Sequence, residues 1–124
     1  MKISRLKIAI FPLLATCYFS AHAEKINLQL VGQQGDHYFF TVPKPQIRDQ
    51  AFLLRTAEGY CFNKAFCYVH FWETGTASPR KFPLAPKEVS SEVASYTSNQ
   101  RTGKKQMLWR CSIFPKATKD ECFS

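Results

Sequence analysis

The sequence predicts a small α+β domain, with a mainly antiparallel sheet of about four strands, two short helices and disulfide bonds that brace them. Alternation of apolar and polar residues in several short segments indicates the strands, and a period of three to four residues in two other segments indicates the helices. Four of the five cysteines follow residue 60, at spacings that suit local disulfides. An all-β barrel or sandwich is the alternative if neither helical segment forms a helix.

The first 23 residues have the three parts of an export signal. They begin with three basic residues, Lys2, Arg5 and Lys7. A short apolar run follows, and the sequence Ala-His-Ala at positions 21–23 provides a cleavage site. Because the apolar run is too short to span a bilayer, we expect residues 1–23 to be removed, residues 24–124 to form one domain, and no transmembrane segment to remain.

Export predicts that the domain works in the periplasm or outside the cell, where disulfides persist. A lipoprotein is the less favoured alternative, because the sequence Leu-Ala-Thr-Cys at positions 14–17 approximates a lipobox in which Cys17 would be acylated. Thr16 departs from the small Gly, Ala or Ser that usually precedes such a cysteine. Together with the cysteines, these features resemble small bacterial periplasmic or secreted proteins in general.

Removal of the signal takes away Cys17 and leaves four cysteines, Cys61, Cys67, Cys111 and Cys122. Four cysteines allow three disulfide connectivities. The local pairs Cys61–Cys67 and Cys111–Cys122 are favoured because each closes a short segment, and the crossed pairings remain open. A zinc site is disfavoured, since the sequence lacks a Cys-x-x-Cys pair and an oxidising compartment opposes thiolate ligands.

The first half of the mature chain predicts a β-hairpin followed by a helix. Apolar residues alternate over 26–30, the cluster at 32–36 contains two glycines, and 37–42 is aromatic and β-branched. The helix is predicted over 45–58, where alternation fails. Its apolar stripe is formed by residues at i, i+4 and i+7, namely Ile47, Ala51 and Leu54, and is widened by Leu53 and Ala57. On this phase Phe52 lies on the opposite face.

The second half predicts a central strand, a long loop, a second helix and a last strand. Residues 66–72 form a nearly continuous apolar run, which is typical of a strand buried on both faces. Four punctuating Gly and Pro residues mark 73–86 as a loop. Apolar residues at helical spacing predict a short helix over 87–97, and alternation predicts a strand over 107–114. The polar tail is expected to fray unless the second disulfide holds it.

No catalytic residue, metal site or cofactor site is predicted. The mature chain has two histidines, and a Cys–His nucleophile pair is not predicted because an even set of four cysteines leaves no free thiol. His70, in a strand of aromatics, is expected to be packed with a hydrogen-bond partner. His37, beside Asp36 in the predicted turn, is expected to be exposed to solvent. Phosphate-binding, dinucleotide-binding and zinc-protease motifs are absent from the sequence.

These observations predict a small exported binding protein that is not an enzyme and acts by protein–protein recognition, as an inhibitor, immunity or secretion-accessory protein would. The net charge of +8 falls to +5 when Lys2, Arg5 and Lys7 are removed with the signal, which leaves 14 Lys and Arg against 9 Asp and Glu. A basic exported domain favours a partner with an acidic surface, or an anionic envelope component, over nucleic acid. Phe52 between Arg48 and Arg55 is the predicted partner-binding patch, because such residues are typical binding hot spots. The alternatives are a secreted effector or small hydrolase, and a module that binds an envelope lipid or glycan.

Overall fold

The computed structural model describes residues 28–77 and 79–124, so the predicted signal segment and Cys17 lie outside the described residues. The strands are β1 (Gln29–Gln34), β2 (His37–Val42), β3 (Phe66–Glu73), β4 (Glu92–Asn99), β5 (Lys104–Arg110) and β6 (Cys122–Phe123). The helices are α1 (Gln50–Cys61) and α2 (Pro86–Ser91). No helix in these two ranges is long and apolar enough to cross a membrane.

The six strands form one sheet in which the spatial order follows the chain, from β1 to β6. Three neighbouring pairs are antiparallel, whereas β2 with β3 and β5 with β6 are parallel. The α+β class therefore fits, but the prediction of about four mainly antiparallel strands is corrected to a larger, mixed sheet. The parallel pairing of β2 with β3 requires a crossover connection, and α1 provides it.

The predicted hairpin forms, with a tighter turn than the sequence suggested. Gln34 pairs directly with His37, so only Gly35 and Asp36 make the turn. Gly35 has a φ of 56°, a left-handed conformation that glycine adopts without strain. The expected turn residues from Gly32 to Gln34 instead continue β1, after a bulge at Val31.

Helix α1 begins later than predicted because Asp49 caps it. The Asp49 carboxylate accepts a hydrogen bond from the backbone N–H of Phe52 at 3.0 Å, which satisfies one of the free donors of the first turn. Residues 44–46 form a separate 3-10 turn before this cap. The buried face consists of Leu53, Ala57 and Cys61. Leu53 and Ala57 are thus buried as predicted, but the centre of the predicted stripe is wrong: Ala51 is exposed, and the buried Ile47 precedes the helix.

One face of the sheet packs against α1 and forms the main core. Its largest buried side chains come from α1 and the four strands β2 to β5; they include Tyr38, Phe40, Leu53, Val69, Phe71, Tyr96 and Trp109. A disulfide between Cys61 and Cys67 joins the end of α1 to the start of β3, with 5.6 Å between the Cα atoms. The crossover helix is thus fixed to the central strand at its C-terminus.

The second predicted helix is mostly a strand. Helix α2 ends at Ser91, and the following residues form β4 between β3 and β5. The residues Ala94, Tyr96 and Ser98 alternate along β4 and are all buried. This period of two places them on the core face, where pairing with two neighbouring strands outweighs the weak helical spacing of the same segment.

The chain end returns to the sheet as its edge strand. A second disulfide, Cys111–Cys122, has a Cα–Cα distance of 5.1 Å and brings β6 alongside β5, where Trp109 pairs with Cys122. The last predicted strand is shifted, since β5 ends at Arg110. Both disulfides are the local pairs that the spacing favours, and the tail is held as expected, although its short strand was not predicted.

Residues 79–91, which we call the strap, cross the sheet face opposite α1. The strap is anchored by Pro79, which is fully buried. The indole N–H of Trp72 donates a hydrogen bond of 2.8 Å to the carbonyl of Glu88. The strap backbone passes so close to β1 that a Cβ atom on Gly32 would lie 2.5 Å from Arg80 Cα. Glycine is therefore required at this crossing.

The second disulfide supplies a direct stability prediction. Cys111→Ser and Cys122→Ser should each lower the free energy of unfolding by about 2–5 kcal/mol, because either change opens the same loop and releases β6. The double variant should cost little more than either single one, since both remove one bond. Urea unfolding of the four proteins measures these values, and clearly additive losses would contradict the pairing.

Candidate functional site

The structure separates the residues of the predicted binding patch. Phe52 is half-buried and packs against the core, so its expected outward orientation is wrong. Arg48 and Arg55 are exposed, but no exposed ring lies between them. The physical reason is the helix phase: with the cap at Asp49, the face centred on Leu53 meets the sheet, and Phe52 is next to that face.

The exposed ring at this side of the molecule is Phe62, the residue that follows α1. Its side chain is 75 % exposed, far more than an aromatic residue retains in a core. The surrounding backbone is fixed by Gln100, whose side-chain N–H donates to the Phe62 carbonyl at 3.0 Å. The backbone N–H of Gln100 also donates to the Ala65 carbonyl at 2.9 Å. The α1–β3 connection is thus held against the β4–β5 turn.

Basic side chains lie on that turn and at the start of the strand that follows it. The Arg101 guanidinium lies 5.8 Å from the centroid of the Phe66 ring, within the range of a cation–π contact. Lys104 and Lys105 follow at the start of β5 and are exposed. We call this surface the aromatic–basic end; it consists of Phe62, Phe66, Arg101, Lys104 and Lys105.

A groove of about 560 Å³ opens beside Phe62, between α1 and the β4–β5 hairpin. Glu58 and Lys105 are among its lining residues, and the floor includes Tyr96. A second groove of about 500 Å³ shares these three residues and extends toward Glu121 on the tail. Burial, and to a lesser extent the Glu58 carboxylate, raises the pKa of the Tyr96 phenol, so this residue stays a neutral hydrogen-bonding group.

On the opposite face, three side chains form a hydrogen-bonded chain that the sequence did not reveal. His37 Nδ1 lies 2.9 Å from His70 Nε2, and His70 Nδ1 lies 2.8 Å from Glu92 Oε1. His70 is packed with hydrogen-bond partners, as predicted. His37 is half-buried and stacks on Tyr68 with 4.5 Å between ring centroids, so its predicted exposure to solvent is corrected.

The environment of His37 opposes its protonation. Burial lowers its pKa below the ordinary value of 6.5, the charge of neighbouring His70 lowers it further, and Asp36 acts in the opposite direction. The ring tautomers follow from the partners: a carboxylate only accepts, so His70 Nδ1 carries the proton that it donates to Glu92. His70 Nε2 then accepts from His37 Nδ1–H.

The described residues give these histidines no nucleophile. Neither imidazole has a hydrogen bond to a hydroxyl or thiol within 28–77 and 79–124. The four cysteines of these ranges are all in disulfides. Groups of three or more potential metal ligands are likewise not found among the residues that could be searched.

Comparisons with protein family models, curated proteins and solved structures give no match for this chain. Its function must therefore be inferred from its own surfaces. Sequence reasoning missed Phe62 because the helix was predicted to end at residue 58. The signal that could have found it is Asp49, a favoured N-cap residue, since a cap at that position moves the helix toward Phe62.

Truncation of Phe52, within α1, should destabilise the protein more than truncation of Phe62, which directly follows α1. Phe52→Ala should lower the free energy of unfolding by about 1–3 kcal/mol, because the ring packs partly against the core. Phe62→Ala should change it by less than about 0.5 kcal/mol, because the ring is mostly in solvent. Thermal or urea unfolding compares the two, and equal effects would contradict the observed helix phase.

The stability of the fold should fall in mild acid because of His37. An unfolded histidine binds its proton near its ordinary pKa of 6.5, above the lowered pKa of folded His37. The stability that neutral His37 contributes is therefore fully present above the unfolded pKa of 6.5, and it is lost as the pH falls through the lower pKa of the folded state. Urea unfolding between about pH 7.5 and about pH 5 should show a smaller decline for His37→Phe than for the wild type. Identical declines would exclude His37 as the cause.

Proposed function

We propose that this chain is an exported, non-enzymatic binding protein that recognises an acidic surface of another protein through the aromatic–basic end. The observation that carries the proposal is Phe62, which is 75 % exposed, is held through its backbone carbonyl by Gln100 and lines a groove together with Lys105. Exposed aromatic rings and arginines are the side chains that dominate binding energy in protein interfaces. The two disulfides are compatible with work in the periplasm or outside the cell.

The charge at this end favours an acidic partner. Arg101, Lys104 and Lys105 lie within one turn and the strand that follows it, with no acidic residue between them in the sequence. Within the described ranges, the contact at salt-bridge distance is the one between His70 and Glu92, on the other face, so these three cations make no salt bridge there. Glu58 lines the groove beside Phe62, but the three cations leave an excess of positive charge at this end. Such an excess steers a complementary surface and increases its association rate.

The rigidity of the site supports binding rather than simple exposure. Phe62 directly follows Cys61, which is joined to β3 by its disulfide. The Gln100 side chain holds the Phe62 carbonyl from the opposite element. A ring presented on a fixed backbone loses little conformational entropy on binding, so more of its burial contributes to affinity.

The adjoining groove supports a protein partner over a lipid. Its lining combines charged Glu58 and Lys105 with the neutral phenol of Tyr96, and it is open along the surface. A lipid chain would require an apolar cavity, whereas a polypeptide offers apolar and hydrogen-bonding groups in alternation. We propose that a segment of the partner enters this groove beside Phe62. Inhibition, toxin immunity and service in a secretion assembly are roles that such recognition could serve.

The test compares two charged faces of the same protein. Immobilised wild-type protein is exposed to exported proteins of the native organism, and a captured partner is purified and measured by calorimetry. Phe62→Ala and the double change Lys104→Glu with Lys105→Glu should each weaken binding by about 30-fold or more, the effect of a hot spot worth about 2 kcal/mol.

The matched control is Arg48→Glu with Arg55→Glu, which reverses the same number of charges on exposed positions near α1. This variant should bind as the wild type does. Binding that survives both changes at the aromatic–basic end would contradict the proposed site. If only the control variant abolished binding, the interface would lie at the patch of Arg48, Phe52 and Arg55 that the sequence predicts. Retention on anionic lipid vesicles, with no protein captured, would favour the envelope-component alternative.

A further inference from the structure

We propose that His37, His70 and Glu92 form a proton-sensing latch, which holds the strap against the sheet at neutral pH and releases it when both imidazoles become charged. The latch lies on the face opposite α1, and it is independent of the proposed recognition site. Its evidence is the hydrogen-bonded chain of 2.9 Å and 2.8 Å together with the packing of the strap on the two rings.

The hydrogen bonds allow the histidine pair to hold one extra proton but not two. With one extra proton, one ring still donates to the other and His70 Nδ1 still donates to Glu92. With two extra protons, His37 Nδ1 and His70 Nε2 both carry hydrogen, so two donors face each other across 2.9 Å. The hydrogen bond between the rings is then lost, and two positive charges meet in a half-buried place.

The strap is coupled to these rings through Phe82. The Phe82 ring meets His37 edge-on, with 4.7 Å between centroids, and meets His70 at 5.8 Å. The same ring packs on buried Phe39 at 5.4 Å. The backbone N–H of Phe82 donates to the side chain of Gln34, which lies just before the hairpin turn, while His37 lies just after it. Separation of the two imidazoles therefore removes part of the surface on which the middle of the strap rests and leaves the contact with Phe39.

The end of the strap is also tied to the latch. Glu92 directly follows the strap as the first residue of β4. Arg110 of β5 donates to the carbonyls of Glu92 and Val89, the latter at 2.7 Å. The backbone carbonyl of Glu88 accepts a hydrogen bond from the indole N–H of Trp72, which lies two residues after His70 on β3. The carboxylate that holds His70 thus lies where the strap joins the sheet.

The charges that face the pair come from every element around it. Asp36 lies on the β1–β2 turn and favours protonation of His37, whereas burial and His70 disfavour it more strongly. Tyr68 of β3 stacks on His37, and Glu92 of β4 bonds to His70. Arg110 of β5 adds a positive charge beside Glu92.

The remaining charges near the latch belong to the strap, where Arg80, Lys81, Lys87 and Glu88 are close in sequence to Phe82. Arg80 and Lys81 are exposed, and the Glu88 carboxylate accepts a hydrogen bond from the backbone N–H of Ala85. Glu92 offsets one imidazolium at 2.8 Å, whereas an imidazolium at His37 is attracted by Asp36 without a salt bridge between the two in the described ranges.

The strap can open without the rest of the sheet. Both disulfides lie outside it, one joining α1 to β3 and the other joining the tail to the end of β5. The described hydrogen bonds between strap and sheet involve a few side chains, those of Gln34, Trp72 and Arg110. Segments with few such contacts open at lower free energy than a paired sheet.

Hydrogen–deuterium exchange with mass spectrometry tests the latch on the whole mature protein, with rates corrected for the intrinsic effect of pH. Between about pH 7.5 and about pH 4.5, exchange of strap amides should increase about tenfold or more. Amides in the β3–β4 pair should keep their protection. Gly32→Ala supplies the open reference, because its Cβ would lie 2.5 Å from Arg80 Cα and displace the strap at every pH.

Two variants separate the latch from general acid sensitivity. His37→Phe keeps a ring in place but cannot take the second proton, so its strap should stay protected at low pH. Glu92→Gln still accepts from His70 but provides no negative charge, so its strap should open at a higher pH than in the wild type. NMR of the His37 imidazole should show that its protonation accompanies the opening of the strap.

Three results would overturn the proposal. The first is a wild-type strap whose corrected exchange does not change with pH. The second is parallel exposure of the strap and the β3–β4 pair, which would indicate global unfolding. The third is an unchanged opening pH in Glu92→Gln, which decides the question even if His37→Phe fails to fold.

Discussion

The burial of β3 on both faces is the constraint on which the rest of the structure depends. Its residues Cys67, Val69 and Phe71 are fully buried toward α1, while Trp72 is fully buried on the other side. A strand with two apolar faces must be covered twice, and a chain of this size has few elements with which to do so. Helix α1 covers one face, and the strap, which includes a single short helix, covers part of the other.

The two covers differ in how firmly they are held, and this difference underlies both proposals. Helix α1 is fixed to β3 by a disulfide, and the connection after it is held by Gln100. The strap has hydrogen bonds, one buried proline and the packing of Phe82. A firmly held backbone suits the presentation of Phe62 to a partner, because binding then costs little ordering. A lightly held segment over titratable rings suits a response to pH, because a modest change in free energy can move it.

The sequence predicted which types of residue form the candidate surfaces, but not which positions they occupy. The sequence predicts recognition through an aromatic residue beside basic ones, which stays a prediction, and it correctly indicated that His70 would be packed with hydrogen-bond partners. It selected Phe52 because a helical stripe can be drawn through Ile47, Ala51 and Leu54, whereas the capping bond to Asp49 sets a different phase. A period of 3.6 fits several apolar sets in a short amphipathic segment, and contact with the sheet decides which set is buried.

The sequence by itself determined the features that depend on neighbouring residues: the hairpin, the central strand, the loop after it and the two local disulfides. Turn residues, alternation and short cysteine spacings act over a few positions, so they can be recognised without a fold. Tertiary structure alone decided the parallel pairing of β2 with β3, the strand at 92–99 and the edge strand β6. A period of two does not specify which strand will be its partner or in which direction it will run. The contact between His37 and His70, 33 residues apart, arises from that same register, in which His37 lies opposite Tyr68.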